Sequence, residues 1–165
     1  MRILALTLIL ALSACGSRTP DVEVPEAVSF APATPLHPGE TPEIRQLVNK
    51  WADTYQVPRT LVHRVIQRES DYRAEARNGP YYGMMQILPE TARGIGFQGP
   101  SSALLDADTN LRWAVKYLRG AWLLADGSET RAVQLYARGY YYEARDRCML
   151  VETGLRATEV RSVCG

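Results

Sequence analysis

Apolar positions along this chain recur mostly at helical spacing. Thr41-Pro42-Glu43 supplies a capping hydroxyl, a proline for the first helical position and an acid for the first turn. Ile44, Leu47, Val48 and Trp51 then continue one face. Pro58 opens a second helix with Leu61, Val62, Val65 and Ile66 on its apolar side and His63, Arg64, Gln67 and Arg68 on its polar side. A third element is expected from about Met84 to Arg93, bent or interrupted at Pro89. Asp108 is placed to cap a long fourth helix carrying Leu111, Val115, Leu118 and Trp122. Ser128 can cap a fifth, through Val133 and Tyr136, that stops near Gly139. One more helix fits residues 153 to 163. No segment alternates strongly in the manner of a strand, and no internal repeat is visible. The pattern predicts a compact all-α domain.

One polar residue breaks the second helix's pattern. At about 100° per residue, with Leu61 at about 0°, Val65 falls at about 40°, Val62 at about 100° and Ile66 at about 140°. Glu69 falls at about 80°, inside the apolar arc. Burying a carboxylate is costly, so a glutamate here either meets a cation or keeps its proton. In the first case Glu69 ends the helix and pairs with Arg68 or Arg73. In the second, a protonated carboxyl at the edge of an apolar cleft is suited to general acid chemistry on a glycosidic oxygen.

The ends of the chain read differently. Met1-Arg2 precedes an apolar run from Ile3 to Leu12 interrupted only by Thr7, then Ser13-Ala14-Cys15-Gly16. A bilayer span needs roughly 20 apolar residues, so the run reads as a secretory signal, residues 1–14. Small residues directly before a cysteine resemble the bacterial lipoprotein signal, which would make Cys15 the lipidated first residue of the mature chain. An ordinary signal that happens to contain a cysteine is the alternative. Six of the ten prolines fall at Pro20, Pro25, Pro32, Pro35, Pro38 and Pro42, so residues 15–41 read as an extended linker. Residues 42–165 are then the right size for one small domain. The remaining cysteines, Cys148 and Cys164, would pair as a disulfide in an exported protein, or stay as two thiols. The net charge of +1 hides acids concentrated in the linker and a small basic excess beyond it. That balance suits an anionic polymer such as the cell wall and is too weak for a nucleic-acid footprint. With only His37 and His63 and no cysteine cluster, no metal or cofactor is implied.

The most specific pattern lies downstream of Glu69. Glu69-Ser70 is followed by Gly83-Met84-Met85-Gln86-Ile87, then Pro89 and Thr91-Ala92, then Asn110 near a helix start, then Tyr136-Ala137-Arg138-Gly139. These motifs, in this order over about residues 43 to 145, resemble the soluble lytic transglycosylase domain family. The resemblance implies a lysozyme-like helical fold and a peptidoglycan substrate. It makes Glu69 the catalytic acid and assigns Ser70, Gly83, Met84, Met85, Gln86, Tyr136 and Tyr140 to the substrate cleft. Gly83 would let backbone approach a sugar or Glu69, Gln86 would offer an amide to sugar hydroxyls, and the methionines would be apolar walls. Plain core packing is the alternative for at least one methionine, and Asn110 reads as structural. The Tyr136 hydroxyl could bond Glu69 or substrate. The sequence departs from the family at Ala137, where an asparagine is usual, which removes an amide that would orient the sugar.

The resemblance implies cleavage of the β-1,4 bond between N-acetylmuramic acid and N-acetylglucosamine with 1,6-anhydro products, carried by one carboxylate. A hydrolytic muramidase, a non-catalytic wall-binding lipoprotein and a scaffold for an envelope machine stay open. The expected setting is the periplasm, with a lipid anchor in the outer membrane. The chain is read as a monomer whose protein partners the sequence does not name.

Overall fold

The computed structural model describes residues 34–164. Cys15, the signal segment and most of the expected linker lie outside the described residues. Among the described residues there are six α-helices: α1 (Pro42–Tyr55), α2 (Arg59–Glu69), α3 (Pro89–Gly94), α4 (Ala107–Leu124), α5 (Glu129–Arg138) and α6 (Tyr141–Asp146). A two-residue antiparallel pair, β1 (Arg77–Asn78) and β2 (Tyr81–Tyr82), joins α2 to α3, with Arg77 opposite Tyr82 and Asn78 opposite Tyr81. None of these helices is long and apolar enough to cross a membrane.

The helix starts follow local chemistry. Thr41 Oγ1 accepts from Ile44 N at 3.2 Å, and Ser128 Oγ accepts from Arg131 N at 3.3 Å. The cap of α4 is Asp106, whose Oδ1 accepts from Thr109 N at 2.8 Å, and not the expected Asp108. Asp108 sits in the first turn, where its Oδ1 accepts from Trp51 Nε1 at 2.7 Å and pairs with Lys50 Nζ at 3.0 Å, fastening α4 to α1. Helix α4 is the central element, packed most extensively against α1 and α5. Leu111, Val115 and Leu118 are fully buried along it, and Trp122 is half-buried.

Two further expectations fail for identifiable reasons. The third element begins at Pro89, not Met84. Gln86 holds a left-handed φ of 51°, and Tyr82 and Ile87 exchange backbone hydrogen bonds at 3.1 Å, so residues 83–88 form a tight reversal. Residues 153–161 form turns rather than a helix, followed by a 3-10 turn at Ser162–Cys164, and the apolar Val160 and Val163 that would face a core are exposed. The last helix is α6 instead, six residues with no side-chain cap and one buried residue, Ala144, too short for periodicity to reveal. Cys148 and Cys164 are joined as a disulfide, Cα atoms 5.3 Å apart.

The packed body also begins earlier than Pro42. Residues 35–41 fold over α2 and bury His63, which the helical wheel put on the polar side. Its Nδ1 lies 2.8 Å from the Tyr72 hydroxyl, and its ring centroid is 4.7 Å from that of His37. Burial lowers the His63 pKa to about 4 against the pull of Glu40, so the imidazole is neutral at pH 7. Burial alone would push the Glu40 carboxyl up. Hydrogen bonds from Arg45 and from the His37 amide outweigh that and hold it below the ordinary glutamate range.

Candidate active site

Glu69 is the last residue of α2, on a helix whose Leu61, Val62, Val65 and Ile66 are fully buried. Its side chain retains 22% exposure, which places it at the margin of the core with access to solvent. Desolvation pushes its carboxyl above the ordinary glutamate range, and Arg68 pulls the other way. Arg68 Nε is 3.5 Å away on a half-exposed side chain. Arg73 does not compete, since its Nε donates to the Ser70 carbonyl at 2.9 Å. Both features raised by the helical wheel are therefore present, a partly desolvated carboxyl and a cation beside it, with burial the larger influence on the proton.

A rigid loop faces this helix end. Ser70 Oγ donates to the Met84 carbonyl at 2.6 Å. Asn110, wholly buried, accepts from Met85 N at 2.9 Å and donates to the carbonyls of Tyr82 and Leu104, each at 2.9 Å. The Tyr136 hydroxyl donates to the Met85 carbonyl at 2.8 Å. Burial first, then the charge of nearby Glu69, push that hydroxyl well above the ordinary tyrosine range. Residues 82–88 are therefore clamped from α2, α4 and α5 at once. Beside the loop is a cleft whose lining includes Tyr81, Gln86, Thr91, Tyr136, Ala137 and Arg138. It continues past Arg138 and Gly139 into a second hollow walled by Tyr141 and Tyr142. Glu69 lines neither hollow itself.

A family model for the transglycosylase SLT domain matches residues 46–146. The chain belongs to the transglycosylase SLT domain family. No solved structure matches it. Membership makes it a transglycosylase-type enzyme of peptidoglycan, on the mostly helical fold that the resemblance implied.

Within this SLT domain the motif residues are largely builders of the loop. Gly83 faces Asn110 and the Leu104 carbonyl rather than Glu69. With φ at 75°, it lets the chain pass Asn110 and Leu104, and a Cβ there would stand 2.1 Å from Asn110 Nδ2. Gln86 does not present a free amide. Its Nε2 donates to the carbonyls of Ala76 at 3.0 Å and Gly83 at 2.8 Å, leaving Oε1 buried without a partner. Met84 and Met85 are both fully buried core residues. Ser70 is 3% exposed and bonded inward. Tyr140 is 2% exposed; its hydroxyl donates to the Tyr117 carbonyl at 2.7 Å and its ring fills the space over Gly120. Tyr136 bonds backbone rather than the carboxyl. None of these seven positions of the SLT motif offers a substrate an open hydrogen-bonding group in this conformation.

The groups the SLT domain does expose along the cleft are Tyr81, Ala137 and Arg138, with Tyr142 beyond. Ala137 leaves space where the family usually has an amide. Arg138 Nη2 is 3.1 Å from Glu143 Oε2, and Arg131 pairs with the same carboxylate. Tyr117 went unrecognised in the sequence. It stacks on Tyr140 at 4.6 Å and packs edge-on to Tyr136 at 5.5 Å, and burial lifts its pKa to about 12. Its signal was its neighbourhood: Gly120 and Ala121 leave room for rings on that side of α4.

Proposed function

We propose that this SLT domain cleaves the β-1,4 bond between N-acetylmuramic acid and N-acetylglucosamine, with Glu69 as general acid and then general base. The observation that carries the reading is Glu69 itself, at the rim of the core beside Tyr136, with its pKa raised by burial. A carboxyl held partly dry keeps its proton until the glycosidic oxygen takes it. The bond breaks with oxocarbenium character at C1 of the muramic sugar. The carboxylate left behind accepts the proton of the C6 hydroxyl, whose oxygen attacks C1 and closes a 1,6-anhydro ring. Proton gain and loss at Glu69 balance, and the nucleophile belongs to the substrate. This is how one carboxylate suffices where many glycosidases use two. Asp71 and Glu75, the acids that follow, are exposed.

Digestion of purified peptidoglycan, with mass spectrometry of the products, tests the proposal. Anhydro ends from the wild type and none from Glu69→Gln support it. Reducing ends would make the enzyme a muramidase, and equal clearing by both proteins would leave only a wall-binding module. We further propose that Cys15 carries a lipid anchoring the enzyme in the periplasm, at the outer membrane. Incorporation of labelled palmitate that survives Cys15→Ser would overturn that.

A further inference from the structure

His37 and Glu40 lie on the segment before α1, His63 lies on α2, and the cleavage mechanism uses none of them. We propose that His37, Glu40 and His63 form a binding site for a divalent transition-metal ion of the zinc class, which fastens the segment before α1 to α2.

Donor type, distance and support all bear on this. One donor atom from each residue lies within 4.8 Å of the others. Donors of a tetrahedral zinc, at about 2.0–2.1 Å from the metal, stand about 3.4 Å apart. The widest separation therefore has to close by roughly 1.4 Å. His37 is half-buried on a loop, whereas His63 and Glu40 are buried, so the closure falls mainly to His37. Two imidazoles and a carboxylate suit zinc and its neighbours, and not calcium or magnesium, which take oxygen donors. Each ring already has an orienting partner. His63 Nδ1 meets the Tyr72 hydroxyl at 2.8 Å, and His37 Nδ1 meets Gln67 Nε2 at 3.2 Å. His63 Nδ1 also lies 3.7 Å from Glu40 Oε1, so the Tyr72 bond orients that ring for a metal when the ion takes the other nitrogen, Nε2.

Arg45 is the competitor. Its guanidinium holds both oxygens of Glu40, Nε at 2.6 Å from Oε1 and Nη2 at 2.5 Å from Oε2. It also donates to the Pro35 carbonyl at 3.1 Å, so it keeps a partner when an ion takes one oxygen. Removing it should strengthen metal binding, which an ion held elsewhere on the protein would not register.

The test is titration of Zn2+ into the full chain by calorimetry. Cys15→Ser is included so that the cysteine outside the disulfide supplies no thiolate. One ion per chain is expected, with X-ray absorption at the zinc edge giving a nitrogen and oxygen shell free of sulfur. Affinity should fall at least about 100-fold in His63→Ala and about 10-fold or more in His37→Ala, and rise in Arg45→Ala. His37→Ala changes a half-buried loop residue, so it keeps the test valid if His63→Ala fails to fold. The melting temperature of the parent should rise with Zn2+ and return with EDTA. Absence of stoichiometric binding, or equal affinity in His37→Ala, overturns the site.

Discussion

Glu69 is governed by two unequal influences, burial that protects its proton and Arg68 that attracts the bare carboxylate. Because burial wins, its folded pKa stands above the unfolded one. The native chain then holds more protons than the unfolded chain between the ordinary glutamate value of 4.5 and the raised one, and stability falls as pH rises through that window. Glu69→Gln removes this penalty. Melting curves from about pH 4 to about pH 8 should show the variant gaining on the wild type as pH rises, and the two converging in acid. A difference independent of pH would mean that burial of the charge is not the cause. The same substitution should lower cleavage at least about 100-fold, the lower end of what a positioned general acid contributes. Wild-type cleavage should decline on the alkaline side as the carboxyl loses its proton, a turbidity measurement on wall suspensions. Glu69 could be identified from the sequence because one carboxylate inside an apolar arc breaks a strong period. Gln86 and Gly83 also have a structural task that the sequence did not reveal. Their partners, the Ala76 carbonyl and Asn110, are set by a left-handed turn that periodicity does not encode.

Among elements, the loop from Tyr82 to Leu88 is the part on which the site depends most. From α4, Asn110 makes two hydrogen bonds to it, with Met85 N and the Tyr82 carbonyl, and a third to the Leu104 carbonyl. Asn110→Leu keeps the volume but strands Met85 N and two carbonyls, which should cost about 3 kcal/mol or more in urea unfolding. Gly83→Ala should destabilise by more than about 1 kcal/mol, since φ is positive and Asn110 already fills the space. Loss of cleavage per folded molecule in either variant would show that the loop positions the chemistry; unchanged cleavage would make it a support only. Leu118→Ala, in the middle of α4, should cost about 2–5 kcal/mol with no shift in product identity. Helices α1, α2, α4 and α5 were legible because each is long and amphipathic with a cap or a proline at its start. The N-terminus of α4 was misjudged by two residues because Asp106 and Asp108 are equally good caps, and Trp51 on α1 decides which one is free. The short α3 and α6 and the β1–β2 pair arise from tertiary contacts more than from local pattern.

For the molecule as a whole, the helical class and the order of the motifs could be read, whereas the outer boundaries could not. Pro35 and Pro38 made the segment before α1 look like free linker, yet Gly39 lies against Asp71 and Glu40 is buried under Arg45. A buried Glu–Arg pair five residues apart gives no periodic signal. At the other end, the disulfide encloses a loop with a sequence separation of 16 residues. In the chain-entropy model that closure stabilises by about 3 kcal/mol. Reduction, or Cys148→Ser, should therefore lower the melting temperature, and an unchanged transition would show that the tail is held by its packing alone.

That sulfur bridge also has a local reach. The stretch from Met149 to Val163 has no α-helix of its own, and Gly154, Leu155 and Arg156 wall a hollow against Gly94, Ile95 and Tyr141. Once the bridge is cut, a protease should trim the exposed end back towards the buried Leu150 and Thr153 while the helices survive. The hollow would then lose the side that Gly154, Leu155 and Arg156 provide.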